Sequence, residues 1–286
     1  MTEHFFMVNF NGELIASTSE QLEHNRAFLY GDAVFETCKV LDNKVLFLED
    51  HYFRLMASMR IVRMEIPMNF TMEYLEEQIL NLLQTSSEKS AAYRVRITCY
   101  RAEGGLYLPK DRSVSFLITA QAHSETVYIN NPQPYEVEIF KDFYVTKHLL
   151  STLKTTNKLV SITAAIFAEE NGYENCLLIN DEKNIIEATN ANIFIINGNT
   201  ISTPPIADGC LNGIMRKQII ELIGKSTDLT IEERSVSPFE LQKAEEIFLT
   251  NTIIGIQSVT KYRKKEFIRT VANQLLVKLN AKIRLG

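Results

Sequence analysis

The sequence predicts a mixed α/β (α+β) fold in two domains, and three observations carry that expectation. Segments of alternating polarity, which suit strands, are interleaved with stretches whose apolar residues recur at three- and four-residue spacing, which suit helices. The chain has 286 residues, enough for a substantial core and, at usual domain sizes, more naturally divided into two units than built as one. Periodicity is lost between Gln121 and Pro134, where Asn130-Asn131-Pro132-Gln133-Pro134 favours turns and extended backbone. The expected organisation is an amino-terminal domain over 1–120, a linker over 121–134 and a carboxy-terminal domain over 135–286.

Each element has a local reason. Asn11-Gly12, between the strand-like runs 5–10 and 13–17, is a strong signal for a tight hairpin. After an apolar run at 45–48, Asp50 is placed to cap a helix carrying His51, Arg54, Leu55 and Met59. A second helix follows Thr71, with Met72, Leu75, Ile79, Leu82 and Leu83 spaced for one buried face. Strands are expected at 92–100, 114–120, 136–140 and 143–146, then a helix over about 156–171 that ends at Gly172. Further strands are expected at 176–180, 191–196 and 200–202, the last after the turn Asn197-Gly198-Asn199. Ser237-Pro238-Phe239-Glu240 reads as a capping box with proline at the first helical position. A last amphipathic helix uses Phe267, Ile268, Val271, Leu275, Leu276 and Leu279.

Composition excludes several function classes. Apolar and charged fractions of 45% and 23% are ordinary for a globular chain, which argues against disorder and fibres. A net charge of −5 is unsuited to a polyanion-binding surface, so nucleic acid is not an expected partner. The cysteines Cys38, Cys99, Cys176 and Cys210 are far apart and suggest neither a zinc knuckle nor a disulfide framework; reduced thiols in a cytoplasmic protein are the simplest reading. The amino terminus lacks a basic region followed by a long apolar run, and no later stretch approaches a membrane span, so a soluble chain without a membrane partner is expected. The five histidines show no metal-ligand spacing, and neither a Gly-x-Ser-x-Gly elbow nor a Gly-x-x-x-x-Gly-Lys loop is present, so no metal site is expected.

Chemistry concentrates in three strings of the second half. They are Leu153-Lys154-Thr155-Thr156-Asn157, then Ile185-Ile186-Glu187-Ala188-Thr189-Asn190-Ala191-Asn192-Ile193-Phe194, then Leu211-Asn212-Gly213-Ile214-Met215-Arg216. Singly, Lys154 reads as a surface amine, Glu187 as an acidic residue at a strand end, and Gly213 as a plain helix entry. Together with Arg26 to Val40, which contains Tyr30-Gly31-Asp32-Ala33-Val34-Phe35-Glu36, they resemble the class IV, or fold-type IV, pyridoxal-phosphate enzymes. These are the branched-chain aminotransferases, the D-amino-acid aminotransferases and the 4-amino-4-deoxychorismate lyases. The likeness covers roughly residues 5–260, with Ala33 where the family usually has a second glycine.

The resemblance implies a two-domain D-amino-acid-aminotransferase-like fold with pyridoxal 5'-phosphate at the domain interface. Lys154 would form the internal aldimine and later move the substrate proton, a role that burial assists by lowering an amine's pKa. Glu187 would keep the cofactor's ring nitrogen protonated, which makes the ring a better electron sink. Asn192, at the start of the next strand, would be a further cofactor-binding residue. The N–H groups of Ile214 and Met215, at a helix start, would receive the phosphate, with Arg54 and Thr252 as further phosphate contacts. Tyr30, Glu36, Thr37, Lys39 and Arg101 would lie on the substrate side. The family's homodimeric habit implies a homodimer.

Two reactions share these parts. A transaminase would take a small amino acid and a 2-oxo acid; a lyase would take aminodeoxychorismate and release 4-aminobenzoate and pyruvate. The spacing of Lys154 to Lys158, together with Thr37 and Met215, resembles the lyases, since a common aminotransferase pattern has threonine where this chain has Met215. Glu36 and Lys39 resemble the aminotransferases, and Thr252 and Leu106 depart from the lyase pattern. Aminotransferase ranks first, lyase second, and a non-catalytic binding or scaffold homologue a remote third.

Overall fold

The computed structural model describes residues 7–16, 24–85 and 89–285. The chain forms two compact units: one comprises residues 1–126 and 154–157, the other residues 127–153 and 158–286.

In the first unit the elements run β1 (Met7–Phe10), β2 (Glu13–Ala16), α1 (Arg26–Tyr30), β3 (Ala33–Leu41), β4 (Lys44–Val45), α2 (Leu48–Ile61), α3 (Met72–Thr85), β5 (Ala92–Arg101) and β6 (Val114–His123). The strands make one antiparallel sheet in the order β2-β1-β6-β5-β3-β4. The expected first hairpin is present, with Phe10 opposite Glu13 and both Asn11 (φ 51) and Gly12 (φ 94) in the left-handed region that a two-residue loop requires. The outer ends of its expected strands, residues 5–6 and 17, lie outside the described residues.

α2 begins three residues earlier than Asp50 as its cap would place it. Phe47 (φ 56) forms the cap position, its carbonyl accepts from the His51 N–H at 3.0 Å, and Asp50 sits with Glu49 inside the first turn, where their charge favours the helix start. α3 starts where expected, the Thr71 hydroxyl accepting from the Tyr74 N–H at 3.2 Å. Its Leu75, Ile79, Leu82 and Leu83 join Leu55 and Met59 of α2 over Val34, Cys38, Val95, Ile97 and Ile118 of the sheet. The helices therefore cover one sheet face. Because strand side chains alternate, Phe35, Thr37 and Lys39 belong to the other face.

Residues 154–157 pair with β3 although 135–286 surrounds them in sequence. The Phe35 N–H donates to the Lys154 carbonyl at 2.8 Å, the Thr156 N–H donates to the Ala33 carbonyl at 3.1 Å, and Thr155 bridges Val34. The helix expected from about residue 156 accordingly cannot start there, since those backbone groups are committed to a strand. It starts at Leu159.

The second unit runs β7 (Glu136–Ile139), α4 (Leu159–Glu170), β8 (Asn175–Ile179), β9 (Ile185–Ala188), β10 (Asn192–Asn197), β11 (Thr200–Thr203), α5 (Ile214–Gly224), β12 (Thr230–Glu233), β13 (Glu246–Asn251), β14 (Gly255–Val259), β15 (Lys261–Tyr262), β16 (Lys265–Glu266) and α6 (Thr270–Leu285). Its ten strands form one mixed sheet, β12-β11-β10-β9-β8-β7-β15-β16, with β13 joining β10 to β14. One sheet face carries a core of Ile193, Ile195, Ile247, Leu249, Val137 and Leu177. On the opposite side of β10 and β13, Phe194 stacks on its cross-strand partner Phe248, with ring centroids 4.9 Å apart.

Three expectations shift here. The strand expected at 143–146 is reduced to a bridge between Val145 and Asn180. The capping box at Ser237 is formed, but it opens a short 3-10 helix, Pro238–Gln242. The last helix begins at Thr270, because Phe267 remains extended, its N–H donating to the Thr260 carbonyl at 2.9 Å while its ring packs on the core. Gly172 (φ 73) follows the end of α4 as expected, and the Tyr173 N–H reaches back to the Ala168 carbonyl at 2.9 Å. Among the described residues no helix is long and apolar enough to cross a membrane.

Candidate active site

In the first unit the candidate residues fall on both faces of β3. Glu36 points to the helices. Its carboxylate accepts from Arg54 Nε at 2.7 Å and Nη2 at 2.6 Å, a two-pronged ion pair, and lies 2.7 Å from His51 Nδ1. Glu36 and His51 are each 1% exposed. Burial alone would push the Glu36 carboxyl up, but the Arg54 charge and the bonds from His51 and Arg54 outweigh it and bring its pKa down to about 2. Burial lowers the His51 pKa more than its carboxylate neighbour raises it. A neutral imidazole beside an ionised carboxylate must donate through Nδ1, and its buried Nε2 has no partner among the described residues. His51 and Arg54 meet Glu36 together because they are three residues apart on one helix.

On the other face, the Lys154 amine lies 4.5 Å from the centroid of the Phe35 ring, and the Arg96 guanidinium lies 3.7 Å from the same centroid. Thr37 and Lys39 are buried on this face, with Arg96 and Arg94 as their β5 partners in register. Burial lowers the Lys39 pKa, partly offset by Glu125. Glu36 is thus brought to Arg54 and kept apart from Thr37 and Lys39. Tyr30, at the end of α1, is exposed and packs near Tyr107 and the Arg26 guanidinium. Arg101 is engaged by the Asp32 carboxylate at 2.7 and 2.9 Å and by the Val62 and Arg63 carbonyls.

In the second unit the register aligns the candidates. Glu187 of β9 and Thr250 of β13 are both Cα partners of Asn192 on β10, so the three side chains share one sheet face in a row. Two of them grip one residue. Glu187 Oε2 accepts from the Leu211 N–H at 2.9 Å, and Asn192 Nδ2 donates to the Leu211 carbonyl at 2.9 Å. Asn175 steadies the turn that joins their strands, its side-chain oxygen accepting from the Thr189 N–H and hydroxyl.

Two residues past Leu211, Gly213 caps α5 without a side-chain hydrogen bond, which leaves the N–H groups of the first turn, those of Ile214 and Met215 included, without helical acceptors. A Cβ on Gly213 would run into Asn192 Oδ1. Thr252 lies in the turn after β13, where its carbonyl accepts from the Tyr128 hydroxyl at 2.7 Å and Asn251 accepts the next two N–H groups at 3.0 Å each.

The family model for amino-transferase class IV matches residues 33–262. The chain belongs to that family. Members use pyridoxal 5'-phosphate, and the chain is a pyridoxal-phosphate enzyme of transferase or lyase type. It is similar to a Methanocaldococcus jannaschii protein provisionally named a branched-chain-amino-acid aminotransferase, at 26% identity over 96% of this chain and 94% of the other. Its fold is similar to that of the branched-chain aminotransferase of Thermoproteus uzoniensis, with a TM-score of 0.85 at 24% identity, covering 99% of this chain and 95% of that one. A Legionella pneumophila protein provisionally named 4-amino-4-deoxychorismate lyase shares the fold too, with a TM-score of 0.80 at 24% identity, covering 93% and 96%. The fold-type IV architecture expected from the motifs is therefore present.

The residues of the chain fit the family's cofactor. A helix start whose capping position carries no side chain suits a phosphate, and a carboxylate held in orientation by a peptide N–H suits a protonated ring nitrogen. Sequence reasoning missed Phe35 as the platform under Lys154, although strand alternation within the Tyr30-to-Val40 motif places it beside Thr37. It also missed Arg96 beside the Phe35 ring and His51 as the partner of Glu36.

Proposed function

We propose that the protein is an aminotransferase acting on a small amino acid and a 2-oxo acid. One observation carries the reading: Glu187 and Asn192 hold the two ends of Leu211 immediately ahead of the uncapped start of α5. One block of the sheet thus carries an oriented carboxylate and an anion-receiving helix end, which a phosphorylated pyridine requires together. The names of the relatives favour transamination over lysis.

In this reading Lys154 Nζ is the amine that bears the cofactor and then takes and returns the proton at the substrate's α-carbon. Pyridoxal phosphate, when bound, supplies the electron sink for the charge left at that carbon. Glu187 keeps the ring nitrogen protonated. The N–H groups of Ile214 and Met215, the Thr252 hydroxyl and the Arg54 guanidinium hold the phosphate, with Arg54 aimed by Glu36 and His51. Asn192 fixes the loop before α5, and Tyr30, Thr37, Lys39 and Arg101 serve the substrate side. The working form is a homodimer in the cytoplasm.

The test has two stages. Purified protein should be yellow, and borohydride should attach the cofactor covalently to wild type and not to Lys154→Ala; colourless protein that takes up no cofactor sinks the reading. Amino donors are then supplied with 2-oxoglutarate or pyruvate, and aminodeoxychorismate is supplied separately without an acceptor. Pyruvate released in the second assay rejects transamination as the main activity and selects the lyase.

A further inference from the structure

The open face of the first sheet gathers cations. Arg94 and Arg96 alternate with buried residues along β5, and so project together on the face that carries Phe35, Thr37 and Lys39. Arg94 is the direct cross-strand partner of Lys39, and His123, opposite Ala92, joins the same face in the next row. Like charges opposite one another on a sheet repel. Burial first and Arg94 second lower the Arg96 pKa, and burial first and Lys39 second lower that of His123. Glu125 offsets part of the charge at Lys39 and His123.

The two guanidinium groups have no such relief. In the same unit Arg26 and Arg101 hold the Asp32 carboxylate and Arg54 holds that of Glu36, but among the described residues neither Arg94 nor Arg96 meets a carboxylate. Arg94 donates to Gln121 Oε1 at 3.5 Å, and Arg96 Nε donates to Thr98 Oγ1 at 3.1 Å while its guanidinium lies over the Phe35 ring. Both side chains are half-buried, so a small solute can reach them.

Geometry relates this pair to the reacting position. The Lys154 amine and the Arg96 guanidinium lie 4.5 and 3.7 Å from one ring centroid, and so within about 8 Å of each other. Arg94 stands one row further from that ring, about 7 Å along the strand. An extended five- or six-carbon 2-oxo diacid sets its far carboxylate roughly 4–5 Å from the carbonyl carbon. With that carbon at the amine, the far carboxylate comes within reach of long guanidinium side chains. One guanidinium suffices for the carboxylate that every amino acid carries beside its reacting carbon; a second, one row further from the amine, suits a second carboxylate.

We propose that Arg94 and Arg96 form an anion subsite for the far carboxylate of a dicarboxylic substrate, so that the enzyme prefers acidic amino acids and 2-oxo diacids to apolar substrates of the same length. The inference rests on the reading of the chain as an aminotransferase with Lys154 as its amine, and it narrows the substrate class which that reading leaves open.

The test uses acids matched in length. Holoenzyme in its pyridoxamine phosphate form is mixed with one 2-oxo acid at a time, and the return of the pyridoxal phosphate absorbance gives a rate constant for that acid alone. The pairs are 2-oxoglutarate with 2-oxopentanoate, and 2-oxoadipate with 2-oxohexanoate. Wild type should favour the diacid of each pair about tenfold or more, the usual effect of a charge-assisted contact. Arg94→Gln and Arg96→Gln should each remove most of that preference, and Arg94→Lys should keep most of it. Calorimetric titration of the holoenzyme with glutarate and adipate, which cannot react, should show binding to wild type that Arg94→Gln weakens by a similar factor. Wild type without a preference for diacids overturns the proposal. So does an Arg94→Gln variant that slows both acids of a pair equally or keeps the preference intact, and the enzyme reading survives each of these results. Wild type that converts no 2-oxo acid at all rejects the aminotransferase reading and the subsite with it.

Discussion

Glu36, His51 and Arg54 show how a charge becomes tolerable in a core. An ionised carboxylate at 1% exposure would be expelled or protonated without partners, yet two guanidinium nitrogens and one imidazole nitrogen lie within 2.7 Å of it. Linkage gives the sign of its pH dependence. The folded-state pKa, about 2, is below the ordinary 4.5, so the contribution to stability is complete above about pH 4.5 and is lost as pH falls towards 2. Wild type should therefore lose melting temperature steeply over that window. In Glu36→Gln the loss should be shallower from a lower plateau, and parallel curves for the two proteins would show that Glu36 is not the titrating group. His51 adds a second arm, since its lowered pKa means that the unfolded chain takes up a proton first and stability begins to fall as pH drops through about 6.5. The identities Glu36 and Arg54 stand out in the motifs, but their pairing does not, because it needs a strand and a helix packed at one register.

At the scale of elements, the start of α5 depends on a glycine for a spatial reason. Gly213 is not in the left-handed region, with φ −74, so conformational freedom is not what the position requires. What it requires is space, because Asn192 Oδ1 occupies the place a Cβ would take. Gly213→Ala should force the Asn192 side chain, buried and bonded to Leu211, out of position, at a cost of about 1–3 kcal/mol in stability. Urea denaturation should show the lowered midpoint, and cofactor affinity should fall with it. A variant with unchanged midpoint and affinity would mean that the loop before α5 gives way freely. The helix start itself was legible from Gly213 and the apolar residues after it. The occupant of the space beside it was not, since Asn192 is 21 residues away in sequence and meets Gly213 only through the folding of β10 and the chain that follows.

At the scale of the whole molecule, the four cysteines report on the integrity of both units. Each is buried and free. Burial pushes the Cys176 thiol to about 11 and Cys210 to about 12, and raises Cys38 and Cys99 as well. Thiolate is the reactive form, so Ellman's reagent at neutral pH should find essentially no fast-reacting thiol in the native protein and four after denaturation. A rapidly modified thiol in native protein would place one of these side chains outside its core. The path of the chain is the other whole-molecule feature. It adds residues 154–157 to the sheet of the first unit from within the stretch that otherwise builds the second. That placement ties the Lys154 backbone to β3 and sets its amine over Phe35.

By itself the sequence determined the family and its cofactor. Both depend on residue types at fixed spacings, Lys154, Glu187 and the Gly213-Ile214-Met215 turn above all, and such spacings survive without knowledge of contacts. Helix and strand identities were readable for the same reason, because period 3.6 and period 2 are local. Only the tertiary structure decided that Glu36 faces Arg54 while Thr37 and Lys39 face the other way. It alone decided that Lys154 pairs with β3, and that Thr250 aligns with Glu187 and Asn192. Each of these is a matter of register between segments distant in sequence, and register is set by how whole faces are buried, which no short pattern encodes.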